Sequence, residues 1–156
     1  MKKLLMALTA GALMTGSASF ALDLNDPEEI VTARHGYMLM MAMSLAPLGA
    51  MAKGQAPYDA AQAKTAAGNL AALASLDAAM VWVDGTDAAT TEDSFALPEA
   101  FANPDLRAEK QAALKAAAIE LASAAGSDVA ALKTGMAAVG AACSDCHKLY
   151  RKPESE

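Results

Sequence analysis

From Asp59 onward the chain is dominated by alanine, interleaved with Leu, Lys, Gln and Glu, and nothing else in it limits the fold so strongly. These side chains lose little freedom in a helix, whereas the β-branched runs and strict alternation that build strands are nearly absent. The chain therefore reads as all-α. A first helix is expected from Asp26 to Lys53, with Asp26 as N-cap, Pro27 at the first helical position, and Glu28 and Glu29 in the first turn. Met38, Met41, Leu45, Leu48 and Ala52 recur at steps of three and four, which marks a buried stripe. Pro47 inside this pattern predicts a kink or short break, and Gly54 followed by Pro57 predicts the stop.

A second helix is expected from Asp59 to Val83. Ala63, Ala66, Leu70, Leu73, Ala74, Asp77, Met80 and Val81 share its inner face. Residues 84–103 are the least regular and read as a long connection with one helical turn near Pro98 to Phe101. The third helix is expected from Pro104 to Ala125 with Asn103 as N-cap, and the fourth from Asp128 to Arg151 with Ser127 as N-cap. Four amphipathic helices with short links between the first and last pairs fit an antiparallel four-helix bundle. Alanine-rich faces bury little apolar area, so such a core gains from an additional apolar group.

Met1 to Ala21 has two lysines, an apolar run from Leu4 to Met14, and Ser19-Phe20-Ala21 at its end. This is the pattern of a secretory signal peptide cut after Ala21, and its apolar run is too short to span a bilayer. Residues 22–156 then form a single exported domain with no stable membrane insertion. Loss of Lys2 and Lys3 with the leader takes the net charge from −6 to −8. Nucleic acid is therefore an unsuitable partner.

Two cysteines in an exported chain ordinarily suggest a disulfide. Here they stand in Cys143-Ser144-Asp145-Cys146-His147, and Cys-x-x-Cys-His is the attachment signature of c-type haem. Three-residue spacing puts both thiols on one helix face, where each can form a thioether with a haem vinyl group. His147 follows directly and can reach the iron as proximal ligand. A thioredoxin-like site needs a preceding strand, and a zinc site needs further Cys or His, whereas the other histidine is His35.

With this motif at its C-terminal end, the chain resembles the class II c-type cytochromes, the group of cytochrome c prime and its low-spin four-helix relatives. Lys53-Gly54-Gln55-Ala56-Pro57-Tyr58-Asp59 resembles the family's link between helices 1 and 2, and Arg34 lies nineteen residues before Lys53. The resemblance implies a four-helix bundle around one covalent haem c and a periplasmic location. It also implies redox partners in that compartment and, in many members, a homodimer through helices 1 and 2. It puts Arg34 against a haem propionate, Met38 over the open face of the iron, Arg151 over the proximal face, and Trp82 near an aromatic that packs on haem. Phe101 stands where many relatives have tryptophan.

Arg34 and Met38 share one face of the first helix, and His35 is one residue off it. Two functions follow. If the Met38 thioether binds iron, the haem is six-coordinate and low-spin, and the protein is a periplasmic one-electron carrier. That is the main expectation. If Met38 only packs over the iron, the haem is five-coordinate and open to NO and CO. No catalytic triad, acid/base carboxylate pair or nucleotide loop is visible, so an enzyme is not expected.

Overall fold

Most helices begin where a side chain replaces a missing backbone partner. The computed structural model describes Asp23 and residues 25–153; the expected leader, residues 1–21, lies outside them. Helix α1 (Pro27–Ala52) starts at Asp26, whose carboxylate accepts from the Glu28 amide, with Pro27 in the first turn. Helix α2 (Ala60–Ala74) is capped by Asp59, which accepts from the Ala61 and Gln62 amides. The short α3 (Glu99–Ala102) leads into α4 (Pro104–Ala124), and α5 (Val129–Tyr150) completes the set. Gly54 stops α1 with a φ of 71°, a conformation that side-chain-bearing residues rarely adopt.

Two boundaries differ from expectation. The second helix ends at Ala74, not Val83. Ser75 turns its hydroxyl back onto the Ala71 carbonyl, and Asp77 caps a separate 3-10 turn, Ala78–Val81, by accepting from the Ala79 amide. Ser and Asp compete with helical backbone in this way. Met80, assigned to the inner face by periodicity, is consequently exposed. The N-cap of α5 is Asp128 rather than Ser127; its carboxylate accepts from the Ala130 and Ala131 amides. Asn103 is the N-cap of α4 as expected, with no side-chain cap bond. Helix α1 runs unbroken across Pro47, where packing of Met41, Leu48 and Met51 outweighs one missing ladder bond.

Helix α1 packs on α2 and α5, and α4 packs on the same two, so the order around the bundle is α1–α2–α4–α5. The α1–α5 side is the most loosely joined. At one end the interior is wholly apolar, built from Leu48, Met51, Leu70, Leu121, Leu132 and Val139. Helices α4 and α5 approach closely there, because a Cβ on Gly135 would lie 2.6 Å from Leu121 Cδ1. At the other end stand the first turns of α1 and the last turns of α5. Between them runs the irregular segment after α2, and the buried set includes Arg34, Thr86, Thr91 and Ser94.

Candidate cofactor site

The penultimate turns of α5 carry Cys143 and Cys146, both free and half-buried. Cys143 packs against the apolar core. Burial pushes both thiols up; the neighbouring Cys143 raises Cys146 further, against the opposing charges of Lys110 and Arg107. Both are therefore held as neutral thiols on one helix face. The His147 imidazole is pushed down, first by desolvation and then by the positive charge of Arg151. The neutral imidazole this favours is the form that ligates a metal. Helix α5 continues on both sides of the cysteines, which excludes the strand-led thioredoxin setting. Among the described residues no group of three or more His, Cys, Asp or Glu is placed to hold a metal ion. Two thiols and an imidazole on one helical turn fit a covalent haem.

On α1, Met38 is half-buried and stands one turn beyond Arg34. Arg34 itself is only 3% exposed. Its Nη1 donates to the Val81 carbonyl and to Thr86 Oγ1, each at 3.0 Å. Its Nη2 donates to the Thr86 carbonyl at 2.5 Å and to Ser94 Oγ at 3.0 Å. The guanidinium lies 5.2 Å from the Trp82 ring centroid and 5.7 Å from that of Phe101. Burial pushes its pKa down and Asp87 opposes this, yet an arginine remains charged throughout. Protein acceptors thus take four of the five guanidinium N–H groups.

Trp82 lies between two guanidinium groups, since Arg107 of α4 also sits 5.0 Å from its ring. Arg151 is the C-cap of α5, and its backbone amide donates to the His147 carbonyl at 2.9 Å. It remains close enough to depress the His147 pKa. His35 stacks on Phe95 at 5.4 Å and rims a polar pocket with Glu28, Glu92 and Asp93. Sequence reasoning missed Thr86, Ser94 and Arg107. An arginine on a buried stripe demands acceptors, and the Thr/Ser-rich patch after Gly85 was the nearest supply in the sequence.

Residues 29–151 match the model of the family described as Cytochrome C'. Cytochrome c-554 of Cereibacter sphaeroides is 39% identical over 95% of this chain and 97% of its own. Cytochrome c' of the same organism is 34% identical over 97% of this chain and 98% of its own. Among solved structures, a nitric oxide complex of a cytochrome c prime variant from Alcaligenes xylosoxidans is 33% identical. It aligns with a TM-score of 0.72 over 83% of this chain and 98% of its own. The protein thus carries a covalent haem c in a four-helix bundle.

These relatives correct the main functional expectation. Relatives named cytochrome c' from three bacteria, and a solved nitric oxide complex of one, favour an open iron over a Met38–iron bond. The physical reason for the error is that a methionine beside iron can either ligate it or merely fill space, and residue type does not distinguish the two.

Proposed function

The chain belongs to the cytochrome c′ family, and we propose that it is a periplasmic, five-coordinate haem c protein that binds nitric oxide and carbon monoxide. The observation that carries this reading is its likeness to cytochromes c', one of them solved with nitric oxide. A haem held by the α5 motif would supply an iron able to take up a diatomic gas.

The chain's own residues do the rest. Cys143 and Cys146 anchor the ring, and His147, held neutral, ligates from the proximal side. Arg151 keeps positive charge beside that histidine. Met38 presents an apolar thioether to the open side, excluding water and restricting entry. Trp82 walls the same end of the bundle, stacked between Arg34 and Arg107. The role is binding, not enzymatic turnover.

Export through the 1–21 leader places the domain in the periplasm, and among the described residues no helix is long and apolar enough to cross a membrane. Its partners are periplasmic redox proteins and a second copy of itself. Met40, Met43 and Leu76 are 54%, 67% and 55% exposed along a groove of about 780 Å³ between α1 and α2. A second bundle covers such a face well.

Titration of the reduced holoprotein with CO and then NO, followed by absorption, tests the reading. Saturable uptake of both gases is expected. A reduced spectrum unmoved by either gas would contradict it.

A further inference from the structure

Residues 81–97 form a strap tied at both ends to the two helices that face the haem. On the α1 side the tie is a single side chain. Four of the five guanidinium N–H groups of Arg34 are engaged by Val81, Thr86 and Ser94, and the Trp82 and Phe101 rings, themselves in edge contact, pack beside it. The acceptors are themselves fixed, with Thr86 Oγ1 donating to the Val83 carbonyl at 2.7 Å and Ser94 Oγ to the Thr86 carbonyl at 2.8 Å. On the α5 side the tie is backbone. The Leu97 amide donates to the Tyr150 carbonyl and the Lys152 amide to the Phe95 carbonyl, both at 2.8 Å, and Ala96 bridges Arg151.

Met38 lies one turn beyond the first tie, and His147 lies one turn before the second. The α1–α5 seam between them is the sparsest in the bundle, so direct helix packing does little to fix their separation. We propose that Arg34 is a positioning residue: through the strap of residues 81–97 it sets the width of the cleft between Met38 and His147. The consequence for gas entry rests on the five-coordinate reading above.

The test reaches the network through the hydroxyl partners of Arg34. Ser94→Ala and Thr86→Val are compared with Arg34→Gln in the holoprotein, reading the CO association rate and amide exchange at Leu97 and Lys152. All three variants are expected to move the CO rate in the same direction, by about three- to tenfold. Exchange at both amides should accelerate, and the Arg34→Gln/Ser94→Ala double variant should add little to either single one. A rate change confined to Arg34→Gln would mean direct action on the haem and would overturn the proposal. So would faster exchange with every CO rate unchanged, which would leave the strap a purely structural tie. Should Arg34→Gln fail to fold, unchanged CO rates in the two strap variants suffice to overturn it. A wild-type protein that takes up no CO defeats the gas-binding reading instead. In that case the haem absorption spectrum replaces the CO rate: a spectrum unchanged in both Ser94→Ala and Thr86→Val overturns the proposal, and a shift common to both, with accelerated Leu97 exchange, sustains it.

Discussion

The two ends of this bundle are built on opposite principles. One end is sealed by Leu48, Met51, Leu70, Leu121, Leu132 and Val139, with hydrogen bonds only at its edges, as from the Tyr58 hydroxyl to the Ala125 carbonyl at 2.9 Å. The other end buries a charged guanidinium among Thr86, Ser94 and two aromatic rings, beside the only cysteines in the chain. The apolar end is held by non-directional burial, which tolerates small shifts and gives stability. The cofactor end is held by directional bonds, which fix positions and are costly if left unmade. The difference teaches that the bundle separates the work of folding from the work of holding a reactive site.

The sharpest way to break this contrast is to remove the cofactor's anchors. Cys143→Ala/Cys146→Ala should abolish covalent haem, read as the loss of the haem adduct in the mass of the denatured protein. In native-state hydrogen exchange the amides of α1 and α5 nearest the motif should lose protection first, while those around Leu48 and Leu132 keep theirs. Equal loss at both ends would mean that the apolar end does not stand on its own packing.

Next in size is a cavity at the apolar end. Leu132 is fully buried, and Leu132→Ala should cost about 2–5 kcal/mol in urea unfolding. The same truncation at the half-buried Met38 should cost clearly less, because less packed surface is lost there. Gly135→Ala tests the close approach of α4 and α5. With Leu121 only 2.6 Å from the new methyl, it should destabilise by about 1–3 kcal/mol. The smallest effect is expected at a cap: Asp128→Ala removes the acceptor for two amides and should lower stability by about 1 kcal/mol. Because α5 carries the haem motif at its far end, this change should leave the haem spectrum untouched.

The same contrast governed what could be read in advance. Helix existence and the apolar end were visible in the alanine background, the three- and four-residue recurrence of Met41, Leu45 and Leu48, and the Gly54 stop. The motif at Cys143–His147 was visible because its chemistry is local, with every group on one turn. The strap was not. Its order depends on Arg34 meeting Thr86 and Ser94, fifty-two and sixty residues away in sequence, and no periodicity announces such a pairing. Ser75 and Asp77 ended α2 by local side-chain competition that an apolar count passes over. Met38 lies on α1, and the choice between binding iron and packing over it turns on haem placement that residue type does not encode.

Electron paramagnetic resonance of the ferric holoprotein, compared between wild type and Met38→Ala, tests the open iron most directly. A five-coordinate site predicts a high-spin signal in both proteins, with Met38→Ala altering only the gas-binding rates. A low-spin wild type that turns high-spin on Met38→Ala would contradict it.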